Sequence, residues 1–218
     1  MPMAGVPMLS LFFVIPAPAQ NQATPRSPKE VLLAYRAMDA AGQRLTAGGW
    51  YRACRFFVKP SPPPRHYVMA VMDGEVFNDF RVNGDRADVS LRCSAVGQID
   101  PSGRFTSLVA PSLMDSSGHL VTQPKASPMH GPVPVMRSYG LVRTDTHWEF
   151  GPAREGPREV KGPPEWRLEY FEFEPWVTIE VAIRYLTGLR DESGSEVIKK
   201  NADKSIAALR GLLRTQTR

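Results

Sequence analysis

Asp145 and His147 are the residues whose types and spacing come closest to chemistry. On a continuous strand, residues two apart share a face, and a carboxylate there can orient and polarise an imidazole for proton transfer. Thr144-Asp145-Thr146 also reads as a tight turn, and that reading places both side chains in water at a sheet edge. Asp88 and Arg92 share one face of a strand pattern, which suits an anionic ligand or, more simply, a solvated charged face. Glu165 and Arg167 flank Trp166 in the same way.

Metal and cofactor chemistry find no support in the spacing. His66, His119, His130 and His147 are scattered, without the pairs that ligate zinc, so no metal site is expected. A phosphate-binding loop, a dinucleotide fingerprint and a nucleophile elbow are all missing, so no cofactor is expected either. Tyr35, Trp50, Tyr67, Tyr139 and Trp166, with Phe57, are the candidates for lining an apolar ligand pocket. The same aromatic set could equally fill a core. Cys54 and Cys93 could pair as a disulfide in an oxidising compartment, or could be two buried small side chains. Lys59 to Arg65, with four prolines, reads as a stiff surface linker rather than a polyproline ligand.

Patterning defines the elements that must hold these residues. Ser27-Pro28-Lys29-Glu30 is a helix start: a capping serine, proline in the first turn, glutamate at the third position. Val31, Leu32, Tyr35 and Met38 continue it at helical spacing to Gly42. Trp50, Ala53, Cys54 and Phe57 form the stripe of a second short helix. Strands are expected over Tyr67–Met72, Val76–Val82 and Arg86–Val96, the last two joined by an Asn83-Gly84 hairpin turn. Asp100 to Gly103 is a turn. Val133–Arg143 and His147–Phe150 are strand candidates, and Trp166–Phe173 returns to alternation. Pro/Gly-rich insertions fall near 112–132 and 151–164. Two amphipathic helices close the chain, one with Ile179, Ala182, Ile183 and Leu186 as its stripe, one capped by Ser195 with Ile198, Ala202, Ile206, Leu209 and Leu213.

Helices, then antiparallel strands, then helices make an α+β chain. This order resembles the NTF2-like (SnoaL-like) cone fold, carried by the helix over Glu30–Ala41, the segment Trp50–Phe57, the Asn83-Gly84 hairpin and the strands of Trp148 and Trp166. The resemblance implies an N-terminal helical pair packed on a curved, mainly antiparallel sheet over residues 27–173; the two Pro/Gly-rich insertions and the C-terminal helical pair over 174–218, read from the patterning, depart from it. It implies a pocket inside the cone, used by some members for cofactor-free isomerase or dehydratase chemistry and by others for binding alone.

Net charge is +5, and most of it sits in the last helix, where six basic and two acidic residues lie between Ser195 and Arg218. A solvated helix face with a basic C-terminal end explains that without nucleic acid. Residues 1–19 read as an export signal: Leu9–Ile15 is apolar, and Ala17-Pro18-Ala19 puts small residues at a cleavage site before a polar spacer over 20–26. The basic start of such a signal is missing, which fits either a start upstream of Met1 or an uncleaved apolar tail too short to span a bilayer. The expectation is therefore an exported, periplasmic or extracellular, non-catalytic module that binds a small apolar ligand or a protein. The alternatives are a small enzyme with a carboxylate or histidine in the cone, and an interaction module using the C-terminal helices.

Overall fold

The structure is a computed structural model that describes residues 26–63, 68–107, 132–150 and 157–216. The export signal, nearly all of the spacer and of the 112–132 insertion, Tyr67, His66, His119 and His130 lie outside the described residues.

The capping box forms as expected. The Ser27 hydroxyl accepts from the Glu30 N–H, and the Glu30 carboxylate accepts from the Ser27 N–H at 2.7 Å. It starts α1 (Pro28–Ala40), which buries Val31, Leu32, Tyr35, Arg36 and Asp39. A short 3₁₀ turn (Gln43–Leu45) leads to α2 (Ala47–Cys54), capped by Thr46, and Trp50, Ala53, Cys54 and Phe57 are all buried.

The sheet is mixed, open and curved, built from β1 (Met69–Asn83), β2 (Arg86–Ile99), β3 (Phe105–Ser107), β4 (Val133–Phe150), β5 (Pro157–Leu168) and β6 (Trp176–Thr178). Its order is β5-β4-β2-β1-β6, with β3 pairing β2; only β6 with β1 is parallel. Gly84 takes φ +58 in the hairpin turn between β1 and β2, a conformation that glycine adopts without strain. In β2, Ala87, Val89, Leu91, Cys93 and Ala95 are buried. The first four pack with Tyr139, Leu141, Leu168 and the N-terminal helices into a first core. α3 (Ile179–Glu192) and α4 (Glu196–Gln216) close a second core against Met69, Val71, Val96, Ile99 and Val177. Most of the apolar residues expected on these two helices lie within that core: Ile179, Ala182, Leu186, Ala202, Ile206 and Leu209 are buried.

Several local expectations change. β1 is one strand rather than two, with bulges at Met72 and near Asn78 that let it bend. Thr144-Asp145-Thr146 is no turn: β4 runs on through it and keeps pairing with β5 beyond it, and the register shift there places the extra residues, 162–164, in β5. The stretch 157–164, expected as a Pro/Gly-rich excursion, is most of β5. It lies at the sheet edge, where prolines are tolerated because one side needs no ladder bonds. The strand expected over Trp166–Phe173 ends at Leu168.

Candidate functional site

β5 and β6 stand at opposite edges of the sheet, so residues 169–175 must cross its width. This strap runs between the helical pair and the sheet. The Phe171 ring lies 5.3 Å from Trp50 and 4.5 Å from Phe57. At its middle the Glu172 carboxylate accepts from the Tyr35 hydroxyl at 3.0 Å and from the Tyr139 hydroxyl at 3.5 Å, and it forms an ion pair with Arg137. The Glu172 carbonyl accepts from Arg44 Nη1.

Glu172 is one corner of a buried charge cluster. Asp39 is fully buried and bridges two arginines, Arg36 Nη1 at 2.7 Å and Arg44 Nε at 2.8 Å; it also accepts the Trp176 N–H at 3.0 Å. Arg36 reaches Glu75 through Nε and Nη2, each at 2.9 Å. Three guanidinium groups (Arg36, Arg44, Arg137) thus meet three carboxylates (Asp39, Glu75, Glu172), a balance that a low-dielectric interior demands. Aromatic faces add to this: Arg137 lies 4.1 Å from the Trp176 ring centroid and Arg44 lies 5.0 Å from that of Trp50, while Arg44 Nη2 and Arg137 Nη1 have no hydrogen-bond partner among the described residues. Burial, helped by the nearby Arg36 charge, presses Arg137 below the usual arginine range. Burial also pushes the Tyr139 phenol up to about 12, so it stays a donor at neutral pH.

The cluster reaches the surface at a cleft of about 190 Å³ lined by Ser138, Tyr139, Gly140, Leu168, Tyr170, Phe171 and Glu172. Arg137 sits behind Tyr139 and is not part of the wall, so Glu172 is the charged group that the cleft presents. Its side chain is 23% exposed, while Tyr170 at 75% stands open at the rim. A carboxylate among aromatic rings can accept from an alkylammonium or guanidinium donor, here in competition with its own partner Arg137.

The residues expected from sequence divide cleanly. Tyr35 and Tyr139 meet at Glu172. Trp50 is core: its indole N–H donates to the Ser61 carbonyl at 2.7 Å, and Phe171 occupies the space beside it. Trp166 packs half-buried against the first core and does not line the cleft. Asp145 and His147 are not brought together. The exposed Asp145 carboxylate accepts from the Thr146 hydroxyl, whereas the buried His147 pairs with Glu149 at 3.1 Å, a contact that lowers the Glu149 pKa. Cys54 and Cys93 are buried and free. The first donates to the Ser61 carbonyl and the second to Glu75, with no disulfide between them. Asp88 is exposed, as is Arg92. Among the described residues no cluster of His, Cys, Asp and Glu could hold a metal ion.

Asp39, Arg36, Arg44, Arg137 and Glu172 escape the sequence reading. A signal was there for two of them. Asp39 follows Pro28, Val31, Leu32 and Tyr35 on the buried face of α1, and Arg137 falls in phase with Val135, Tyr139 and Leu141 in β4. A charge on a core-facing phase marks a buried partner elsewhere in the chain.

No family model, no curated protein and no solved structure matches this chain.

Proposed function

We propose that this chain is a non-catalytic binding module of the NTF2-like kind, working after export, whose ligand site is the cleft at Glu172 and whose ligand carries a cationic donor group. The observation that carries this reading is the exposed edge of Glu172 between Tyr139, Tyr170 and Phe171, in a cleft deep enough for one small group. The order of elements, a helical pair on a curved sheet, supports the kinship. The export pattern in residues 1–19 supports the address, and no described helix is long and apolar enough to cross a membrane.

Binding is favoured over catalysis because Glu172 is already committed. It accepts from Tyr35 and pairs with Arg137, and among the described residues no histidine or second carboxylate lines the cleft to exchange a proton with it. His147, the other titratable group the sequence singled out, belongs to a separate pair with Glu149 and does not line the cleft.

A thermal-shift series tests this. n-Butylammonium should raise the melting temperature in a saturable way while butyrate at equal ionic strength leaves it unchanged, since a ligand that binds only the native state stabilises it by mass action. Equal responses to the two ions would reject the site.

A further inference from the structure

The cleft opens on a stretch of sheet edge that has no strand partner among the described residues. The Glu169 N–H donates to the Gly140 carbonyl at 2.9 Å on the β5 side, while the Arg143 N–H donates to the Asp85 carbonyl at 2.8 Å on the β2 side. Along β4, therefore, even-numbered residues direct their main-chain groups away from β2 and odd-numbered residues direct theirs toward it. β5 pairing ends at Leu141 with Leu168, and β2 pairing continues back to Val133. Ser138 and Met136 thus present N–H and C=O groups outward, and Pro134 presents a carbonyl, with no partner among the described residues. Met136 is 53% exposed, and Pro134 and Ser138 are exposed too.

The geometry points to an extended polypeptide as the ligand: a strand that adds to the Pro134–Ser138 edge of β4 and places a lysine or arginine side chain in the cleft against Glu172. The inference rests on the cleft being a site for a cationic donor. Alternating donors and acceptors at strand spacing match another extended backbone, which supplies affinity, while a side-chain pocket beside them supplies specificity. The two features are contiguous here, because Ser138 belongs both to the edge and to the cleft wall, which continues through Tyr139 and Gly140. A second copy of this chain fits less well. Pairing two β4 edges would bring Pro134 to Ser138 of one copy to the cleft of the other, and the one basic residue in that stretch, Arg137, is buried against its own Glu172.

The test uses the ¹⁵N-labelled chain and three probes followed by amide shifts: a blocked Thr-Val-Lys-Val-Thr peptide, its Thr-Val-Glu-Val-Thr counterpart, and n-butylammonium. The lysine peptide should bind about tenfold more tightly than the glutamate peptide and should slow exchange of the Met136 and Ser138 amides. Met136→Pro removes an outward N–H and no β2 bond, so an edge strand tolerates it. That variant should keep its circular dichroism spectrum and its butylammonium response while losing about tenfold in affinity for the lysine peptide. Butylammonium binding without peptide binding, or peptide binding unaffected by Met136→Pro, would overturn the strand while sparing the cleft. Loss of all three responses would overturn both. Self-association that Met136→Pro abolishes would overturn the inference in favour of a second copy at the edge.

Discussion

The Asp39 carboxylate and the Arg44 guanidinium lie 2.8 Å apart with both side chains fully buried, one at the end of α1 and the other in the turn that follows. Asp39 also holds Arg36 and the N–H of Trp176, the first residue of β6. One carboxylate therefore ties the helical pair to the strand at the sheet edge. Removing a partner from a buried ion pair strands the other charge, which costs far more than the pair contributes net.

Asp39→Asn should accordingly lower unfolding free energy by about 3–5 kcal/mol, read from urea denaturation. A loss below about 1 kcal/mol would mean that water or rearrangement satisfies Arg36 and Arg44 without Asp39.

Alkaline pH should loosen the same region. Burial raises the Tyr139 phenol from its ordinary 10.0 to about 12, and raises Tyr35 further still. A raised folded-state pKa gives stability that is fully present below the unfolded value and is lost as pH climbs through the folded one. Stability should therefore fall between pH 10 and 12, by about 2–3 kcal/mol for Tyr139 alone. Tyr139→Phe should flatten that slope. A flat profile in the parent protein would contradict the burial of the two phenols.

The thiols offer an independent check on the core. Burial pushes Cys54 up to about 11 and raises Cys93 as well. Both should resist alkylation in the native protein at pH 8, and both should titrate as free thiols once the unreduced protein is denatured. Zero thiols under denaturing conditions would mean a bond between Cys54 and Cys93 and a different packing of α2 against β2.

Much of this fold is legible because local chemistry dictates it. Ser27 and Glu30 cap α1 through contacts three residues apart, and the hairpin expected at Asn83-Gly84 closes one residue later, on Gly84-Asp85, with Asn83 already paired to Arg86. Cys93 and its neighbours alternate in β2 as a half-buried strand must. The extended course of β4 through Asp145 is not legible, since Thr-Asp-Thr suits a turn and only pairing with β5, which carries the bulge at 162–164, keeps it extended. β6 is three residues long and gains its partner, β1, across about a hundred residues of chain. The site fails to show for the same reason. Tyr35 and Glu172 are 137 residues apart, and Glu172 sits in a strap whose path is set by which sheet edges β5 and β6 occupy. Tyr35 and Tyr139 are legible as aromatics; their shared carboxylate depends on the path of the strap.

Amide shift mapping with n-butylammonium, run on the parent chain beside Tyr170→Ala and Glu172→Gln, tests the central claim most directly. Tyr170 is 75% exposed, so its truncation leaves the fold intact and removes only the rim of the cleft. The parent should show saturable shifts confined to Ser138, Tyr139, Gly140 and residues 168–172, weakened about threefold or more by Tyr170→Ala and abolished by Glu172→Gln. Shifts spread along the basic face of α4, or unchanged by both substitutions, would contradict a cation site at Glu172.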